Sequence, residues 1–214
     1  MGWAAEELAT IDLGDARRER RAIRLIERLA EHPTASIPRA CGGWSETQAA
    51  YRLLGSEAYG WQDILNPHFQ CTEARMASQA VVLCLQDTVE LDFNGQAITG
   101  LGPLSDEAQR GMYLHPTYAV TPAREPLGVL DAWMWAREPK AADGTRPGIQ
   151  ESVRWREGDE RMAELADKLP ETRLVYVADR EADIGRKGDG EPGVKSLWLG
   201  LQRVMDTAVN GHLN

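Results

Sequence analysis

The sequence predicts an α/β protein in three parts: a small helical domain over residues 1–78, a mixed-sheet core over 79–184, and a linker with a C-terminal helix over 185–214. Three observations carry that expectation. Apolar residues recur at helical spacing in the first part. From about Gln79 the period moves toward two, and short β-branched runs follow. Two of those runs, Val81 to Leu85 and Leu174 to Val177, lead into acids, Asp87 and Asp179.

The N-terminal part opens with its most regular helix. Between Asp15 and Glu31 the positions Ala22, Ile23, Leu25, Ile26, Leu29 and Ala30 form an apolar side, and Asp12 or Asp15 is placed to cap the start. Arg17, Arg20, Arg21, Arg24 and Arg28 follow the spacing of one stripe on a helix surface, with Arg18 beside them. Such a stripe suits phosphate contacts. It equally suits a solvated face, because Glu19, Glu27 and Glu31 interleave at distances that allow pairing along the helix. Both readings stand on the residues alone.

Pro33, Pro38, Gly42 and Gly43 break that helix. Ser45-Glu-Thr-Gln48 has capping-box form and predicts a second helix through Leu54. A third starts near Trp61, and Asn66-Pro67 is read as a cap and first-turn proline that restart a helix. These short helices are expected to pack around Tyr51, Leu53, Leu54, Trp61 and Leu65. Helix-turn-helix modules are built this way, as are many domains that never meet DNA.

Strands are expected at Ala80 to Leu85, Met112 to Thr121, Leu127 to Ala136 and Arg173 to Val177. The second and third are close enough to pair as a hairpin. Residues 138–150 read as a surface loop, and Glu160 to Lys168 as an amphipathic helix. The two acid-terminated strands are then parallel neighbours joined by a crossover. Past Ile184, Gly185 to Gly193 is polar and glycine-rich, and Leu197, Leu201, Val204 and Met205 mark a last short helix.

Composition excludes several classes. The net charge of −9 argues against a general polyanion binder, so any nucleic-acid contact has to be a local basic face. No run approaches the roughly 20 apolar residues of a membrane span. The acidic start of the chain does not read as a secretory signal. Cys41, Cys71 and Cys84 form no Cys-x-x-Cys pair and four scattered histidines no zinc pattern, which fits a reduced, cytoplasmic setting.

Two aspartates at adjacent strand ends suit an oxygen-ligated divalent cation such as Mg²⁺. A pair of such ions about 3.5–4 Å apart activates an attacking water or hydroxyl and stabilises the leaving oxygen in phosphodiester chemistry, and a third carboxylate normally helps to hold them. The plainer reading is that acids at strand ends cap and form turns. Trp133, Trp135, Trp155 and His115 read as core or sheet-face residues, and Asp92 and Asp183 as turn acids.

Four segments sharpen this picture: Gln86-Asp-Thr-x-x-Leu-Asp-Phe93, Tyr113-Leu-His-Pro-Thr117, Leu127-Gly-Val-Leu-Asp-Ala-Trp133 and Val177-Ala-Asp-Arg-Glu-Ala-Asp183. Together they resemble the bacterial DDE insertion-sequence transposases of the Tn-five-like (IS-four) class. Leu13-Gly-Asp-Ala-Arg-Arg18 and Gln48-Ala-Ala-Tyr-Arg-Leu-Leu54 resemble that family's helical end-binding domain. The resemblance implies a helical DNA-binding domain ahead of an RNase H-like catalytic core. It implies cut-and-paste DNA transposition with Mg²⁺ or Mn²⁺, by a homodimer on double-stranded transposon ends, in the cytoplasm on the nucleoid. It makes Asp87 and Asp179 the first two acids of the DDE motif and the metal ligands. Arg17, Arg18, Arg20, Arg21, Arg24, Arg28 and Arg180 become the expected DNA contacts, and Glu181 an accessory residue; Arg180 fits a phosphate contact or an ion pair equally.

The sequence departs from the family after Asp179. The family's third acid, a glutamate in a Tyr-x-x-x-Gly-x-x-Glu-like helix, has no counterpart before Asn214. Gly190 to Arg203 instead resembles the family's C-terminal dimerisation region, as though a block between Ile184 and Gly185 were absent. Glu181 and Glu191 are the candidate substitutes, one two residues from Asp179 and one in the linker. The expected outcome is an RNase H-like core that is incomplete and a catalytically impaired transposase. The alternatives are a non-catalytic DNA-binding protein or dominant-negative partner of a full-length transposase, a nuclease or phosphatase for which two acids suffice, and an inactive product.

Overall fold

A computed structural model describes residues 2–148 and 152–178. The chain divides into two compact units, Met1–Cys71 and Thr72–Asn214.

The first unit is helical: α1 (Trp3–Glu7), α2 (Ala16–Glu31), α3 (Ile37–Ala40), α4 (Trp44–Leu54) and the start of α5 (Trp61–Met76). Asp15 is the cap of α2, its carboxylate accepting the Arg17 N–H at 2.7 Å. Ala22 and Leu25 point inward from α2 and meet Leu8, Ile11, Leu13, Cys41, Ala50 and Leu53 in one core. On α4 the inward side is Thr47, Ala50 and Leu53, a three-residue period. Tyr51 and Leu54, expected in the core, therefore fall on the outer side and are exposed.

Two further expectations are corrected here. The cap of α4 is Gly43, not Ser45; Glu46, in the first turn, reaches back to accept the Gly42 N–H at 2.5 Å. Pro67 restarts nothing: α5 runs through it unbroken. The missing N–H costs one bond early in the helix. Three contacts anchor that turn to α1 and the turn after it: Glu7 with His68 at 2.6 Å, the Glu7 carbonyl accepting from Cys71 Sγ at 3.4 Å, and Thr10 donating to Gln70 at 2.8 Å.

The second unit holds β1 (Val81–Gln86), β2 (Val89–Asp92), β3 (Gly102–Pro103), β4 (Arg110–Val120), β5 (Pro126–Trp135), α6 (Ser152–Lys168) and β6 (Arg173–Val177). The long strand β4 pairs antiparallel with β5 on one edge and with β1 and β2 on the other. β6 lies parallel to β1, from Val81↔Arg173 to Leu85↔Val177, so the expected hairpin and the expected parallel pair are both present. The path from β5 to β6 passes through α6, as a parallel crossover requires. A hairpin-linked antiparallel set with one parallel strand across a helix is consistent with an incomplete RNase H-like core. The C-terminal helix expected in the 185–214 segment lies outside the described residues.

Burial alternates along β1, with Val82, Cys84 and Gln86 facing α6. Leu174 and Tyr176 of β6 and Ala119 of β4 join them, and α6 closes this core with Trp155, Met162 and Leu165. Truncating one such side chain to alanine costs about 2–5 kcal/mol. Two short strands, β2 and β3, were not expected, and α6 begins well before Glu160.

Candidate nucleic-acid interface and acid site

The first site belongs to the helical unit. Once Ala22 and Leu25 face the core, helical geometry sends the arginines of α2 outward. Arg17, Arg20, Arg21 and Arg24 are exposed, while Arg18 and Arg28 are half-buried. The stripe is not electrostatically uniform. Arg17 lies 3.5 Å from Asp15. Arg24 and Arg28 converge on Glu46 of α4 at 3.6 and 3.5 Å, and Arg28 also meets Glu31 at 3.2 Å. Among the described residues Arg20 and Arg21 make no ion pair. Arg18 is turned aside: it donates to the Leu13 carbonyl at 3.1 Å and lies 5.8 Å from the Tyr59 ring centroid. The glutamates at i, i+4 spacing thus neutralise less of the stripe than their number suggests, and the partner that counts, Glu46, comes from another helix.

Arg21, Arg24, Leu25 and Arg28 wall a shallow groove whose other side is Cys41, Ser45, Glu46, Ala49 and Ala50. Beside it, α3, the three-residue turn Cys41–Gly43 and α4 form a helix-turn-helix connection. The outer face of α4 carries Trp44, Gln48, Tyr51 and Arg52, with Trp44 76% and Tyr51 53% exposed. Sequence reasoning missed this face by assigning Tyr51 to the core; the three-residue recurrence Thr47, Ala50, Leu53 was the available signal.

The second site lies where β1 gives way to β2. The register with β4 runs on from Gln86↔Thr117 to Val89↔Leu114, which leaves Asp87 and Thr88 opposite Pro116 and His115. A proline has no N–H to give, so the ladder opens there. Asp87 is thereby left off the strand, half-buried, its carboxylate accepting the Thr88 N–H at 2.8 Å. The Thr88 hydroxyl lies 2.7 Å from Nδ1 of His115, a buried ring set edge-on against Trp155 at 4.5 Å. Behind Asp87, Gln86 donates to the Thr117 hydroxyl at 3.0 Å and accepts from the Tyr176 hydroxyl, a chain of bonds across β4, β1 and β6.

Next to Thr88 is a cleft lined by Glu90, Ser105, Tyr113, His115, Trp135, Arg137, Arg154 and Trp155. Ser105 and Tyr113 both donate to Glu90, each at 2.9 Å. The Ser105 hydroxyl foremost, then its N–H, hold the Glu90 carboxyl below the usual glutamate range. Arginines alternate with aromatic rings along this side. Arg161 and Arg154 lie 4.1 and 4.2 Å from the Trp133 centroid, and Arg137 lies 4.1 Å from that of Tyr113. Tyr113 in turn stacks on Trp135 at 5.4 Å.

Asp179, Arg180 and Glu181 lie outside the described residues, as does Asp183. Among the described residues no three His, Cys, Asp or Glu side chains gather as a metal would need. Asp92 accepts the Asn94 N–H at 2.7 Å, a turn acid as read. No helix of the described residues is long and apolar enough to cross a membrane.

Two family models match the chain. A transposase DNA-binding model matches residues 1–59. A transposase Tn5 dimerisation-domain model matches residues 146–212, which include α6 and β6. Between them they cover more than half of the sequence, one at each end.

Proposed function

We infer the function from family and geometry together: the chain belongs to the Tn-five-like (IS-four) class of transposases, and its helical unit binds double-stranded DNA. The observation that carries this reading is the pairing, inside the matched residues 1–59, of an exposed arginine ridge on α2 with the uncovered outer face of α4. An arginine ridge of which Arg20 and Arg21 make no ion pair among the described residues takes phosphates, and a helix presenting Trp44, Gln48 and Arg52 beside it has the residue types that enter a groove. Transposon ends are the DNA this family implies. The match over residues 146–212 supports a homodimer, or pairing with a full-length transposase, as the assembly.

Asp87 and Asp179 are the proposed holders of Mg²⁺ or Mn²⁺. Their fit rests on three points. Both are oxygen donors of the kind these ions take. Asp87 stands just past the last paired residue of β1, opposite Pro116. The sequence interval between Asp87 and Asp179 equals that between the paired residues Leu85 and Val177. When bound, the ion would supply activation of an oxygen nucleophile and relief of charge on the leaving oxygen. The chain's own part is to present Asp87: Thr88 holds its carboxylate, and Gln86, tied to Thr117 and Tyr176, fixes the strand end behind it.

Catalysis is impaired in this reading, because no glutamate pattern that could complete the set stands between Asp179 and Gly190, where the resemblance to the family's dimerisation region begins. The chain then occupies DNA ends, alone or with a full-length partner, without cutting them efficiently. Duplex binding and nicking of supercoiled plasmid in Mn²⁺ test both halves, on the parent and Asp87→Asn. Both proteins should bind duplex DNA and leave the plasmid intact. Efficient nicking by the parent that Asp87→Asn abolishes overturns the impairment. Absence of duplex binding by the parent overturns the function itself.

A further inference from the structure

The groove between α2 and α4 already holds an anion, and it is part of the chain. One donor and two cations converge on the Glu46 carboxylate: the Gly42 N–H donates to it at 2.5 Å, and the Arg28 and Arg24 guanidinium groups form ion pairs with it at 3.5 and 3.6 Å. A backbone amide with two guanidinium groups is a set that recognises a phosphate oxygen as readily as a carboxylate. The two arginines continue the ridge in which Arg20 and Arg21 are unpaired among the described residues; Arg21 lines the same groove, and Arg20 precedes it on the helix. We propose that Glu46 is an intramolecular stand-in for a DNA phosphate, so that it screens Arg24 and Arg28 and sets how strongly the α2 ridge grips duplex DNA. This rests on the DNA-binding reading of the helical unit and adds to it a residue that limits affinity.

The plainer role of Glu46 is to cap α4, as its bond to Gly42 shows. The two roles separate chemically. Gln at this position keeps a carbonyl oxygen for the Gly42 N–H and removes the charge that neutralises the arginines. Capping alone therefore predicts no change in DNA binding by Glu46→Gln. Screening predicts a gain, because the change releases Arg24 and leaves Arg28 with Glu31 alone, and each guanidinium group that meets a phosphate releases about 0.9 counterion.

The test is the affinity of the full chain for a labelled DNA duplex, by anisotropy, at several salt concentrations. Glu46→Gln should bind several-fold tighter at low salt, with the slope of log affinity against log salt steeper by about one to two. Unchanged or weaker binding with an unchanged slope overturns the inference while leaving the DNA-binding reading in place. Absence of binding by the parent overturns both. Arg20→Gln and Arg24→Gln give a second route in the parent background if Glu46→Gln does not fold. Screening requires Arg20→Gln to weaken binding more than Arg24→Gln does, and equal losses contradict it.

Discussion

Gly158, in the middle of α6, lies directly against the side-chain amide of Gln86 on β1, so that a Cβ at Gly158 would overlap it. Gln86 is fully buried and is hydrogen-bonded to Thr117 and Tyr176. The helix thus gives up a side chain where the sheet needs room for a polar one. Gly158→Ala should gain up to about 1 kcal/mol of helix propensity and lose about 1–3 kcal/mol to overpacking. The expected net result is a melting temperature lower by a few degrees, read by circular dichroism. A raised melting temperature contradicts the assigned contact.

Trp133 is clasped between Arg154 and Arg161, and its indole N–H donates to Asp131 at 3.0 Å. Asp131 also pairs with Arg161, so β5 and α6 are joined by rings and charges as well as by apolar packing. Trp133→Ala removes the ring from both guanidinium groups. A loss of about 2–4 kcal/mol is expected in urea unfolding, combining truncation of a half-buried ring with two cation–π contacts. A loss under about 1 kcal/mol would show that the clasp contributes little.

Glu90 gives a pH dependence with a definite sign. Its carboxyl is held below the usual glutamate range by Ser105 and Tyr113. A depressed native pKa means stability that is fully present above the unfolded value and lost as pH falls through the native one. Unfolding experiments below about pH 5 should therefore show a decline that Glu90→Gln makes shallower, with no difference in slope near neutrality. Parallel profiles for the two proteins contradict the assignment.

Burial pushes the Cys84 thiol up to about 12, within a fully covered position on β1. Thiolate is the reacting form, so Cys84 should be the slowest of the three cysteines to alkylate at neutral pH. Its labelling, followed by mass spectrometry, should speed up only under conditions that open the sheet. Labelling of Cys84 as fast as the half-buried Cys71 would show that β1 is not covered by α6.

Much of this architecture was legible because one local signal fixed each element. The apolar run of β1 and the shift toward a period of two from about Gln79 marked the strands, and the arginine spacing on α2 marked the exposed ridge. What stayed hidden depended on partners distant in sequence. Glu46 reads as an ordinary first-turn acid until the fold brings Arg24 and Arg28 to it. β2 is short and mostly exposed, so no buried face marks it; its register is set by β4. Pro67 looks like a helix start because the anchoring contacts of His68 and Cys71 to Glu7 and of Gln70 to Thr10 cannot be read locally. For the acid site, the strand that presents Asp87 was visible, but not that Pro116 opens the ladder opposite it.

The measurement that tests the central claim most directly is duplex DNA binding by the full chain across a salt series, beside Arg20→Glu/Arg21→Glu. These two arginines are exposed on α2 and make no ion pair among the described residues, so reversing them leaves the helical core intact. The account predicts salt-dependent binding by the parent, at least tenfold weaker in the double variant, with a slope reduced by about two. Equal binding and equal slopes, with both proteins folded, would contradict the claim that this ridge is how the chain holds DNA.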